Sequence, residues 1–201
     1  MTYHYRHTPG DHRLIVTLHG TGGNESQFHG FVEQVVPGAS VLSPRGDVSE
    51  RGAARFFRRR AEGVYDMDDL WMRVDQMADF VRDQRVENVT RRCIGIGYSN
   101  GANILMATAL NHPHVFDALI LMHPLIPWTP DACPDLACKP VFISAGQRDP
   151  ICPMPSTEAL LSYLGDQGAE VTTHIGSGGH EIRDDELMAV QTYLREQVDV
   201  D

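Results

Sequence analysis

Positive charge is in short supply: 17 Lys and Arg stand against 27 Asp and Glu, a formal net charge of −10. Nucleic acid and anionic membrane surfaces are thereby excluded as partners, because both are held by clustered cations. The single basic cluster, Arg55-Phe56-Phe57-Arg58-Arg59-Arg60, reads as a solvated arginine turn. Cysteine is also scarce, at Cys93, Cys133, Cys138 and Cys152. No cleavable signal segment precedes them and the N-terminal stretch is polar, so reduced thiols and a cytoplasmic location are expected. Cys133 and Cys138 have no second Cys/His pair at zinc spacing, so no metal is expected. No apolar run approaches the roughly 18 residues that would span a bilayer, which leaves no stable membrane anchor. Repeats, low-complexity tracts and linkers are missing too, so residues 1–201 read as one domain.

What is present is alternation. Short apolar runs (14–18, 40–42, 93–96, 118–122, 140–144 and 170–174) are separated by candidate helices at about 24–36, 67–84, 100–111, 156–166 and 181–197. In the second helix Leu70, Val74, Met77, Phe80 and Val81 share one stripe, the 3.6-residue period of a face packed on something apolar. The strand runs are continuously apolar rather than alternating, which marks strands covered on both faces. The fold class expected is α/β, a doubly wound, mostly parallel sheet flanked by helices.

Inside this pattern Gly97-Tyr98-Ser99-Asn100-Gly101 fits G-x-S-x-G. A strand pattern ends at Gly97 and a small-residue helix begins directly after Ser99, which is the strand, turn and helix setting that exposes a nucleophilic hydroxyl. A serine needs a base, and the base needs an orienting carboxylate. Both follow in chain order after strand patterns: Asp149 in Gly146-Gln147-Arg148-Asp149-Pro150, and His180 in Gly176-Ser177-Gly178-Gly179-His180. Ser99, Asp149 and His180 are the candidate catalytic residues. The loop His19-Gly20-Thr21-Gly22-Gly23 lacks the Lys-Ser/Thr of a phosphate-binding loop; the backbone N–H groups of Thr21 and Asn100 are candidates for an oxyanion hole. His19 reads as a structural hydrogen bonder. His180-Glu181-Ile182-Arg183-Asp184 begins like a zinc-protease helix, but position 184 is Asp rather than His.

From HGTGGNE through SPRGDVSERGAARFFRRR, GYSNGAN and GQRDPICP to GSGGHEI, the chain resembles the phospholipase/carboxylesterase branch of the α/β hydrolases. Within that branch it is similar to the small lidless bacterial esterases associated with hydroquinone stress. The resemblance implies an α/β-hydrolase fold with little or no cap, a small-molecule carboxylic ester as substrate, a Ser-Asp-His triad and no cofactor; it leaves a homodimer open. Phe57, Trp71, Leu125, Ile126 and Trp128 are candidate pocket residues. The competing readings are thioesterase or lysophospholipase activity on the same triad, a catalytically silent hydrolase-fold binding protein, and a dienelactone-type or peptidase relative, the dienelactone type being the one a cysteine at position 99 would favour.

Overall fold

The computed structural model describes residues 3–198. In chain order the elements are β1 (Tyr5–Thr8), β2 (Arg13–Leu18), α1 (His29–Val35), β3 (Ser40–Pro44), β4 (Val48–Glu50), β5 (Ala53–Arg55), β6 (Arg59–Ala61), β7 (Val64–Tyr65) and α2 (Met67–Glu87). They continue with β8 (Arg92–Tyr98), α3 (Asn100–Asn111), β9 (Ala118–Met122), β10 (Pro140–Gly146), α4 (Met154–Asp166), β11 (Glu170–Gly176) and α5 (Asp184–Val198). Seven strands form one sheet in the order β1-β3-β2-β8-β9-β10-β11. Only β1 runs antiparallel, against β3; every other pairing in this sheet is parallel. The α/β doubly wound fold read from the sequence is the fold observed.

Strand side chains alternate between two cores. Leu119 and Leu121 of β9 pack with the residues of α2, α3 and α4, whereas Ala118, Ile120 and Met122 pack with α1 and α5. Each fully buried leucine contributes about 2 kcal/mol relative to an exposed one. Helix α3 is buried on nearly all sides, which is why its sequence is so poor in charge. Among the described residues no helix is long and apolar enough to cross a membrane.

Chain direction reverses sideways twice in the sheet, at β2 and at β3. From β2 the chain moves outward to β3, and from β3 it crosses back to β8 on the other side of β2. The loop after β2 and the turn after β8 therefore lie side by side at carboxyl strand ends, where α/β sheets place their ligands. The register keeps the neighbouring ends level: Tyr98 pairs with Met122, Met122 with Ser144, and Ser144 with His174.

Two helix starts differ from the periodicity by three residues or more. The helix expected from 24 starts at His29, because Asn24 folds the preceding residues into a turn: its Oδ1 accepts from Ser26 N (2.8 Å) and its carbonyl from Gln27 N (3.1 Å). The last helix starts at Asp184 rather than 181, capped by Glu186, whose carboxylate accepts from Arg183 N (3.3 Å). The hairpins β4-β5 and β6-β7 were not legible, since their strands are two or three residues long and largely polar.

Glycine placement yields a matched test. A Cβ on Gly101 would run into the backbone of Leu18 and His19, whereas one on Gly165 in α4 meets nothing. Gly101→Ala is expected to destabilise the protein by about 1–3 kcal/mol. Gly165→Ala is expected to stabilise it by up to about 1 kcal/mol. Equilibrium denaturation of both variants measures the contrast.

Candidate active site

Ser99 sits between β8 and α3 with φ 50° and ψ −115°, a conformation that a non-glycine residue adopts only when its surroundings hold it. Ser99 N donates to Met122 O (2.8 Å), and Ser99 O accepts from Asn103 N (2.9 Å) at the start of α3. The flanking glycines are needed for close approach: a Cβ on Gly97 would meet the Gly101 carbonyl, and one on Gly101 the Leu18 carbonyl. Strain and crowding together lift Oγ clear of the sheet at a helix N-terminus, where developing negative charge is favoured.

His180 and Asp149 arrive from the loops after β11 and β10. Ser99 Oγ and His180 Nε2 are 2.9 Å apart, and His180 Nδ1 lies 2.7 Å from Asp149 Oδ2. An ionised carboxylate only accepts, so the proton of this contact sits on His180 Nδ1, leaving Nε2 free to accept from the serine. Tyr98 holds the loop from below, its hydroxyl donating to His180 O (2.6 Å). The structure thus brings Ser99, Asp149 and His180 together.

Two residues missed in the sequence complete the cluster. Asp149 Oδ2 accepts a second imidazole, His123 Nδ1 (2.8 Å), while Oδ1 accepts from Ile151 N (2.8 Å) and Cys152 N (2.9 Å). Beyond His123 lies Glu186, whose Oε1 accepts from Ser144 Oγ (2.5 Å). Burial pushes the Asp149 carboxyl up, but its four N–H donors outweigh this and hold it below the ordinary carboxylate value. Burial likewise opposes ionisation of Glu186, and His123 and Ser144 reverse the balance. For His123, burial pulls down and the bonds to Glu186 and Asp149 win, leaving it above the ordinary imidazole value. The available sequence signal was positional: His123 directly follows the apolar run 118–122, the same kind of address as Ser99 after β8.

A cavity of about 270 Å³ opens in front of Ser99, lined in part by Thr21, Arg55, Tyr65, Asn100, Asn103, Leu125 and His180. Both oxyanion candidates, Thr21 and Asn100, face it. Of the five expected pocket residues, Leu125 does so. Phe57 and Ile126 are instead buried in the core, Phe57 standing edge-on to Tyr65 with ring centroids 4.8 Å apart. Trp71 and Trp128 contact one another edge-to-face (5.6 Å) and line a separate groove with Leu110 and Cys133. Phe57 and Ile126 were drawn into the core because their apolar area is worth more buried than facing a small polar-rimmed cavity.

The basic cluster is not a solvated turn. Arg55 is 3% exposed, with Nη1 donating to Thr21 Oγ1 (2.6 Å) and lying 3.4 Å from Glu50. Arg59 pairs with Glu50 and Glu62, and Arg58 with Asp69. These ion pairs tie the two hairpins to the rim of the cavity and fix Thr21. His19 is buried, Nδ1 donating to Gly20 O (2.7 Å) and Nε2 accepting from Gly46 N (2.9 Å), so it spans two loops without reaching Ser99. Among the described residues the nearest approach to a metal-ligand set is His123, Asp149 and His180, with ligand atoms within 4.8 Å of one another; the Nδ1 protons of the two histidines already occupy Asp149 Oδ2.

The profile of the dienelactone hydrolase family matches residues 5–181. MhqD of Bacillus subtilis (strain 168) is 38% identical over 188 residues, covering 92% of this chain and 94% of its own. Among solved structures, the protein Atu2452 of Agrobacterium tumefaciens, of unknown function, superposes with a TM-score of 0.91 at 48% identity, covering 97% of each chain. A carboxylesterase of Bacillus cereus does so with a TM-score of 0.89 at 35% identity, covering 97% of this chain and 94% of that one. The serine at position 99 had weighed against a dienelactone-type relative, but a match running through the whole sheet is not decided by one nucleophile atom. With its doubly wound sheet and its serine elbow at the carboxyl strand ends, the chain is a hydrolase of the α/β-hydrolase fold and belongs to the dienelactone hydrolase family.

Proposed function

We propose that the chain is a serine carboxylesterase that cleaves small or medium carboxylic esters through an acyl-enzyme on Ser99. The observation that carries the reading is the continuous hydrogen-bonded line from Ser99 Oγ through His180 to Asp149. In this reading His180 Nε2 takes the Ser99 proton as Oγ attacks the ester carbonyl, and Asp149 holds the imidazole in the tautomer that the step requires. The N–H groups of Thr21 and Asn100 stabilise the oxyanion. His180 then delivers its proton to the departing alcohol, and the same imidazole activates water to release the acid. A cavity of about 270 Å³, at the lower end of ligand pockets generally, supports a short acyl group over a long chain.

Ser99→Ala is expected to abolish ester hydrolysis while leaving the thermal transition in place. A fluorophosphonate probe should label the wild type alone; labelling of the variant would remove Ser99 from its role. Asp149→Asn should lower kcat on the order of 10⁴-fold, as in other triads, and near-wild-type turnover would give the role to another carboxylate.

Acidity supplies an independent check. Protonated His180 cannot accept the serine proton, so kcat/KM should fall on acidification and level off on the alkaline side. A profile flat from about pH 5 to 9, measured with a substrate whose chemistry limits the rate, contradicts a histidine base. Across p-nitrophenyl esters, kcat/KM should peak at short acyl chains; thioesters and a lysophospholipid test the other acyl donors open to the same triad. Dialysis against a strong chelator should leave activity unchanged.

A further inference from the structure

The proposed reaction makes no use of His123, yet both of its ring nitrogens face carboxylates. It directly follows β9 with φ 50°, a backbone that costs a non-glycine residue about 1–3 kcal/mol unless its contacts enforce it. Those contacts are present: His123 N donates to Ser144 O (2.9 Å), and Cys152 Sγ donates to His123 O (3.2 Å). The ring is buried and lies between two carboxylates, with Nδ1 2.8 Å from Asp149 Oδ2 and Nε2 3.3 Å from the nearer oxygen of Glu186.

We propose that His123, braced by Glu186, is a positioning residue that clamps the Asp149 carboxylate in place for His180 and acts on the reaction through that carboxylate. The proposal rests on the reading of Ser99, Asp149 and His180 as a triad. Asp149 Oδ2 is shared by two imidazoles whose centroids are 5.2 Å apart at 71°. With Oδ1 taken by the Ile151 and Cys152 N–H groups, the carboxylate can neither rotate nor slide without breaking a bond.

The donor inventory fixes the charge. Ionised carboxylates only accept, and Glu186 accepts from Ser144 Oγ and Arg183 N as well. Both His123 nitrogens therefore carry protons, and the ring is an imidazolium between two anions. Other groups face it: Tyr98 from β8, Cys152 from the loop after β10, His174 from β11, and His180, Glu181 and Arg183 from the segment before α5. Of these only His180 and Arg183 oppose a positive ring, and neither is hydrogen-bonded to it, whereas both bonded partners are anions. The imidazolium ring lies 5.2 Å, centroid to centroid, from that of His180, across the Asp149 carboxylate that the two share.

A purely structural His123 would affect stability alone. In the positioning role, His123→Asn should move the acid limb of kcat/KM upward by about one pH unit, because the neighbouring cation is gone. It should lower kcat about tenfold, with KM unchanged, since the group never touches substrate. Nitrogen-15 NMR of the imidazoles should find both His123 nitrogens protonated at about pH 7.5. Glu186→Gln, nearly isosteric and able to donate to Nε2, should remove one of these protons and shift the acid limb in the same direction. A neutral His123 in the wild type overturns the proposal, as does a folded variant, His123→Asn or Glu186→Gln, with the wild-type pH profile. The ring protons can also be read in Ser99→Ala, which separates the two failures: ester hydrolysis surviving there sinks the triad reading, whereas a neutral ring sinks the role of His123.

Discussion

One carboxylate joins the ends of three strands. The Asp149 side chain is shielded from solvent and receives N–H donors from its own loop, from His123 after β9 and from His180 after β11. A buried carboxylate without partners would cost several kcal/mol, and hydrogen bonds to a charged group contribute about 1.5–3 kcal/mol each. The anion is thus stable only while all four donors stay in place, which makes the geometry of the loops mutually dependent. Through His123 the constraint extends to Glu186 on α5 and Ser144 on β10.

The sheet makes this convergence possible. Parallel strands in register end at the same level, so Ser99, His123, Asp149 and His180 occupy the exits of four successive strands, β8 to β11. On the other side of Ser99, the sideways reversal between β2 and β8 brings up the loop that carries Thr21. Backbone crowding then sets the height of the serine, because Gly97 and Gly101 let strand, turn and helix approach more closely than any side chain allows. Rigidity of this kind suits a site whose groups must be aligned before a substrate arrives.

Charge is distributed by the same logic. The chain is acidic overall, yet Arg55 is buried beside the cavity and Arg59 lies on its rim. Glu50 and Glu62 neutralise them, so the hairpins between β3 and α2 form a clasp of ion pairs rather than a field that would steer a polyanion. The sequence displayed the arginines as a run; their partners come from residues whose side chains reach them only once the two hairpins have folded.

The sequence by itself determined what local rules control. Apolar runs covered on both faces placed five strands of the sheet, and the run at 170–174 placed β11, which lies at the sheet edge with none of its residues buried; the 3.6-residue period placed α2; G-x-S-x-G at a strand-to-helix junction located the elbow; and chain order supplied Asp149 and His180. These features are legible because burial and backbone sterics act on neighbouring residues. Only the tertiary structure decided which side chains share a partner. His123 and Asp149 are 26 residues apart, and His123 and Glu186 are 63 apart, so their contacts depend on which strand lies beside which and on register. The pocket followed the same division. Leu125 reached the cavity while Phe57, Trp71, Ile126 and Trp128 went elsewhere, because the direction of each side chain is set by what packs against it, and no spacing along the chain encodes that.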